Sequence, residues 1–242
     1  MKINFFKDYY SYSKNILVSL IFLSPFLFLY EFICFMYFRN SNYQIRNSAD
    51  IILRNIFDLF GSYSELLYSI SLFVIIVFIY FINKKKGSQL NVKIQYLIFI
   101  FIEGLLYGLL LLILINNFSI FDFNKNIYQP NLLLNLYLCI GAGIWEEILF
   151  RLIVFSFLYN LFNKYFSGIS VFLISVIASS ILFSLFHYIG SSAEIFNIYT
   201  FNLRFLGGVF LCILYYFRGF AVVSMAHISY DFILVSLPLI YT

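Results

Sequence analysis

The segment GIWEEILFR, Gly143 to Arg151, sets two adjacent glutamates and an arginine inside a long apolar run. Ionisable groups at membrane depth are costly, so each one marks a candidate functional site. Glu147 and Arg151 are four residues apart, on one helix face, with the acid first, the favourable order for an ion pair. Such a pair lowers the cost of burying both charges. Glu146 lies roughly 100° further round at 3.6 residues per turn and need not share that arginine. The spacing therefore separates a structural carboxylate, Glu147, from a reactive one, Glu146. The chain has two histidines, His187 in FSLFH and His227 in HISYD. Phe183 sits one turn before His187 and can pack beneath its ring, and His227 and Asp231 share a face. Two histidines and a carboxylate converging in an apolar setting would form an active-site-like cluster.

The elements that must position these groups are membrane helices. The chain of 242 residues is 63% hydrophobic, 23% aromatic and 11% charged, far below the roughly 25% charge of a soluble domain. The reading is an all-α, polytopic transmembrane bundle of about seven spans, six to eight, near 16–38, 65–82, 96–115, 131–161, 169–190, 203–217 and 220–240. No polar stretch is long enough for a second domain, so 1–242 reads as one membrane domain. Within it, 1–130 is a set of helices without motifs and 131–242 a core carrying the candidate residues. The first apolar run reads as a retained span and not a cleaved signal. Residues 44–60 differ. Ile45, Ala49, Ile52, Leu53, Ile56 and Phe60 follow helical spacing opposite Arg46, Asp50, Arg54 and Asp58, which predicts an amphipathic helix lying in the interface or capping the bundle. Residues 190–203 fit a loop, a re-entrant piece or part of a longer sixth span.

Lys and Arg counts in the loops, nine inside against four outside, place the N-terminus inside. The helices 131–161 and 169–190 form a hairpin turning near Lys164 to Gly168, with Glu146 and His187 at similar distances from the turn. If the surplus length of 131–161 protrudes inside, Glu146 lies roughly 10–15 Å below the inner interface, level with His187 and His227. Cys34, Cys139 and Cys212 have no metal-type spacing and read as packing residues. The net charge of +4 suits lipid headgroups and gives no sign of nucleic-acid binding. Glu31 and Glu103 read as acids hydrogen-bonded to neighbouring helices, Gly207–Gly208 as a close-packing site, and Lys84–Lys86 as an inner anchor. Nothing in the sequence sets an oligomeric state.

EEILFR fits Glu-Glu-x-x-x-Arg, FSLFH fits Phe-x-x-x-His, and HISYD fits His-x-x-x-Asn/Asp. In this order on late helices, the three motifs resemble the CPBP family of intramembrane proteases, which includes type II CAAX prenyl endopeptidases, bacteriocin-processing enzymes and bacterial self-immunity proteins. The resemblance covers about 130–240. It implies an endopeptidase in which Glu146 and His187 activate water, Glu147 and Arg151 order the site, and His227 and Asp231 support the oxyanion. Asp231 stands where many members have Asn. An ionised Asp cannot donate a hydrogen bond, so its expected part is to hold His227 in its donor tautomer. Family members are often labelled metalloproteases. His187, His227 and Glu146 could supply a zinc set, but no His-Glu-x-x-His helix is present, and the expectation is a metal-free glutamate mechanism. The substrate would be a peptide or membrane-protein segment. The residue bias hints at an AT-rich bacterial genome and a bacterial cytoplasmic membrane, where a pheromone, bacteriocin or membrane-protein terminus suits better than a prenylated protein. The alternatives are a catalytically silent immunity or scaffold protein of the same fold, and a proton- or cation-coupled transporter.

Overall fold

In the computed structural model, the described residues are 2–39, 45–63, 67–68, 81, 92–118, 131–190 and 193–240. Among these residues all regular structure is helical. The order is α1 (Lys2–Ser13), α2 (Ile16–Phe38), α3 (Ser48–Asn55), a short 3-10 segment (Asp58–Tyr63), α4 (Ile94–Phe118), then one run composed of α5 (Leu132–Gly141), two π-helical segments (Ala142–Glu146 and Ile148–Phe155) and α6 (Ser156–Phe162). It ends with α7 (Ile169–Phe186), α8 (Ile198–Arg218) and α9 (Phe220–Ile240). The expected span at 65–82 and the anchor Lys84–Lys86 fall largely or wholly outside the described residues.

Local chemistry sets several of these boundaries. Asn15, Asn47, Asn131 and Asn197 stand at helix N-caps, where each side-chain oxygen accepts a backbone N–H of the first turn, the usual remedy for the unpaired donors there. Gly219 ends α8 at φ 85°, and a side chain there would meet Lys14 Cα at 2.9 Å. The α8–α9 turn therefore needs glycine both for its backbone angle and for its fit against the start of α2. Lys14 closes the same junction by donating to the Tyr216 carbonyl at 2.9 Å.

Among the described residues four helices, α2, α4, α7 and α8, are long and apolar enough to cross a membrane, and α9 adds an apolar stretch over Phe220–Ser236. Their outer faces carry exposed Phe28, Phe32, Ile98, Leu106, Ile113 and Ile177, as expected of helices solvated by lipid. The protein is an integral membrane helical bundle. α9 is its central element. Ala221, Val222, Val223 and Ala226 are wholly buried, and small residues let its neighbours close in. Gly104 and Gly108 of α4 leave space filled by Met225 and Ser229, and Ser229 donates to the Gly104 carbonyl at 3.2 Å. Small-residue contacts of this kind bring membrane helices together where no hydrophobic force acts between them.

Two expectations need adjustment. The sixth span begins at Ile198, and residues 187–190 and 193–197 are turn and loop. The amphipathic segment forms a helix over Ser48–Asn55, with its charged face against the bundle and its isoleucines outward, as an interfacial helix would have it and a helix packed on the bundle by its apolar face would not. Asp50 is fully buried against the bundle, while Ile51, Ile52 and Ile56 are exposed. A charged face turned to lipid has no partner, whereas turned inward it meets Glu31 and two tyrosines. In a bilayer that ordering replaces the polar-out rule of water.

Candidate active site

Glu146, Glu147 and Arg151 lie in the stretch where the 132–162 run widens from α to π geometry. Such wide turns shift side-chain angles from the α-helical value and recur at functional sites. Gly143 fixes what faces them. A side chain at Gly143 would meet Ile228 Cγ1 at 2.3 Å and the Ile228 nitrogen at 2.7 Å. The absent side chain lets the α9 backbone lie against the π segment, which brings His227 beside Glu147.

Glu147 is fully buried, and its Oε1 takes two partners, Arg151 Nη1 at 2.9 Å and His227 Nδ1 at 2.7 Å. The expected pairing with Arg151 is therefore present, but the same oxygen also anchors His227. Arg151, itself fully buried, stacks over the Phe183 ring at 4.6 Å and reaches the Gly208 carbonyl at 3.5 Å. Gly208 packs on Ser180 and Phe183, whereas Gly207 faces open space, so only one of the expected pair serves close packing.

The expected part for Asp231 needs correction. Its Oδ2 lies 3.5 Å from His227 Nε2, and the shorter contact to the ring is that of Glu147 at Nδ1. A carboxylate can only accept, so Glu147 sets the Nδ1–H form of His227 and Asp231 flanks the other nitrogen. Glu146 is also not free as expected. It is 7% exposed, and its Oε1 accepts from the Asn47 side-chain amide at 2.8 Å.

His187 is the C-cap of α7, one residue beyond the helix. Its Nδ1 lies 3.0 Å from the Phe183 carbonyl. That carbonyl belongs to the last turn, where acceptors lack helical partners. Since a carbonyl can only accept, Nδ1 carries the proton and Nε2 presents a lone pair. Phe183 connects the two histidines, its ring edge-on to His187 at 5.2 Å and to His227 at 6.2 Å. Residues of the three motif stretches are thus linked by direct contacts, Glu147 to His227, Arg151 to Phe183 and Phe183 to both histidines.

Asn47 is the contact that sequence reasoning missed. Its place at the head of a helix was readable, but its approach to a residue 99 positions away was not. Trp145, buried beside Glu146, packs against Tyr30 and Tyr68, with its indole N–H unpartnered among the described residues. Glu31 and Glu103 lie outside the pocket. Glu31 binds Arg46 at 3.0 Å and Arg54 at 2.8 Å. Glu103 binds Arg218 at 2.5 Å and accepts from the Tyr9 hydroxyl.

The donor set does not fit a tetrahedral zinc as arranged. His227 has a carboxylate at each nitrogen, Glu146 is engaged by Asn47, and among the described residues no three His, Cys, Asp or Glu side chains stand together at metal-holding spacing.

No curated protein and no solved structure matches the chain. Residues 128–233 match the family model described as type II CAAX prenyl endopeptidase Rce1-like, a stretch that holds all three motifs. Over that C-terminal stretch, a little under half of the chain, the protein is similar to the Rce1-like family of type II CAAX prenyl endopeptidases.

Proposed function

We propose that this protein hydrolyses a peptide bond within the membrane by a glutamate mechanism, without a metal. The observation that carries the reading is the contact between motif residues of three helices, with Phe183 edge-on to both His187 and His227 and His227 bound to Glu147, the neighbour of Glu146, inside the family-matched region.

In this reading Glu146 takes a proton from water as the water oxygen attacks the scissile carbonyl carbon. His187, with its proton committed to the Phe183 carbonyl, uses the Nε2 lone pair to accept a hydrogen bond from that water and aim it. The carbonyl oxygen gains negative charge, and His227 Nε2–H donates to it. Because Nδ1–H is committed to Glu147, donation from Nε2 requires a ring bearing both protons, a cation between Glu147 and Asp231. Arg151 lies 2.9 Å from the same Glu147 oxygen and holds it in place for that task. The C–N bond then breaks, and Glu146 passes its proton to the departing amine. The substrate is a peptide or a membrane-protein segment that enters from the bilayer. The N-terminus, the 163–168 turn and Gly219 lie on the inner side in this reading, following the Lys and Arg count.

The test uses purified protein in proteoliposomes and a panel of quenched fluorescent peptides, some ending in a prenylated CAAX-type sequence and some unmodified and hydrophobic. Glu146→Ala and His187→Ala should abolish cleavage of whichever peptide the wild type cuts best, and activity should survive chelation and metal analysis should find no stoichiometric zinc. Cleavage that persists in both variants contradicts the proteolytic site, and loss on chelation restored by zinc contradicts the metal-free form.

A further inference from the structure

Asp50 on α3 is the hub of a closed ion network. Its two oxygens accept from Arg46 Nη1 at 3.0 Å, Arg54 Nε at 2.8 Å, and the Tyr30 and Tyr68 hydroxyls at 3.2 and 3.1 Å. Both arginines also reach Glu31 of α2. Charge-assisted bonds of this number fix α3 against the bundle at a defined height and rotation.

The first fixed point of that platform is Asn47. Its Oδ1 accepts from the Ala49 N–H at 2.9 Å, its backbone N–H donates to the Tyr30 hydroxyl at 3.3 Å, and the Ile45 carbonyl two residues before it accepts from the Tyr137 hydroxyl at 2.5 Å. Gly141 leaves room for it, since a side chain there would meet Asn47 Cβ at 3.2 Å. With Oδ1 committed to the helix cap, the amide orientation is set by the network and Nδ2 faces Glu146.

The geometry points to Asn47 as a positioning residue for Glu146: its amide holds Oε1 and leaves Oε2 to face the attacking water. This rests on Glu146 being the base, as proposed above. A neutral donor suits the task. Lys or Arg at this distance would orient the carboxylate equally well but would favour its charged form and weaken it as a base. An amide fixes the rotamer without neutralising the charge, which is how a supporting residue holds a reacting group within the narrow tolerance catalysis requires. The charged groups facing Glu146 are His187 at the end of α7 and His227 and Asp231 on α9. Among the described residues, the hydrogen bond to its Oε1 comes from Asn47.

Asn47→Ser and Asn47→Asp separate positioning from folding, because both residues are good helix N-caps. Serine keeps a capping oxygen but is too short to reach Glu146, and aspartate keeps the cap and places a carboxylate against a carboxylate. The assay is the wild-type-preferred quenched peptide in proteoliposomes. For Asn47→Ser the expected result is a ~10- to 100-fold fall in kcat, the range for losing a hydrogen bond to a charged group, with KM within about twofold. Asn47→Asp should fall further. Hydrogen exchange over 48–55 should match the wild type in both. Wild-type kcat in either folded variant overturns the inference, as does a loss confined to KM. So does an α3 that exchanges freely in both variants, since Asn47 would then act only as a cap. Glu146→Gln is run alongside. If it cleaves normally, the base assignment itself fails; if it is dead while Asn47→Ser is normal, only the role of Asn47 fails.

Discussion

Arg151→Met tests the buried triad at the centre of the site. Arg151 and Glu147 are both fully buried and 2.9 Å apart, and the side chain also covers the Phe183 ring at 4.6 Å. Methionine keeps much of the volume and removes the charge, leaving Glu147 with His227 as its remaining partner. Removing one member of a buried ion pair costs ~3–5 kcal/mol, because the survivor stays desolvated and uncompensated. The lost contact with Phe183 adds about 1 kcal/mol, so a loss of ~4 kcal/mol or more is expected. Adding Glu147→Gln should recover ~2 kcal/mol or more, since it removes the stranded charge while its amide oxygen still accepts from His227. The chain supplies its own reporter. Trp145 is the one tryptophan, 3% exposed and two residues before Glu147, so its emission follows unfolding in mixed micelles at the site itself. An Arg151→Met protein within about 1 kcal/mol of the wild type, or a double variant showing the plain sum of its parts, would refute the buried-triad reasoning.

Gly143→Ala should destabilise by ~1–3 kcal/mol and cut activity, because the added methyl overlaps Ile228 and pushes α9 from the π segment, whereas Gly207→Ala, with nothing within 4 Å, should change stability by no more than ~1 kcal/mol; unfolding and cleavage assays on the pair check the contrast. Asp50→Ala strands Arg46 and Arg54 around an empty centre and should raise hydrogen exchange across α3 by an order of magnitude or more. Single cysteines at Lys14 and Lys164 should be labelled from the same side of the membrane, and one at Arg39 from the other; the three native cysteines are buried and should stay silent.

Much of this arrangement was legible in the sequence, and its limits have physical causes. Apolar runs located α2, α4, the 132–162 run, α7, α8 and α9, because a bilayer demands a minimum length of apolar helix. The pairing of Glu147 with Arg151 followed from spacing alone, since four residues remain neighbours in either a tight or a wide helical turn. The widening itself left no local sign. It shows only where Gly143 meets α9, a contact with residues about 80 positions away. That contact also decided the His227 partner. Spacing on α9 suggested Asp231, but the π segment delivers Glu147 to the nearer nitrogen. For α3 the periodicity was right, and it left the direction open between an interfacial helix and a bundle cap. The partners that decided it, Glu31, Tyr30 and Tyr68 around Asp50, Arg46 and Arg54, lie on other segments. Asn47 lies beyond any pattern of its own segment, because its role comes from where α3 docks.

The most direct measurement is isotope transfer. The wild-type protein and its Glu146→Gln and His187→Ala variants are incubated with the preferred peptide in oxygen-18 water, and the fragments are read by mass spectrometry. The glutamate mechanism requires one heavy oxygen at the new C-terminus in the wild-type product and no product above background from either variant. A labelled product formed by Glu146→Gln at the wild-type rate would contradict it.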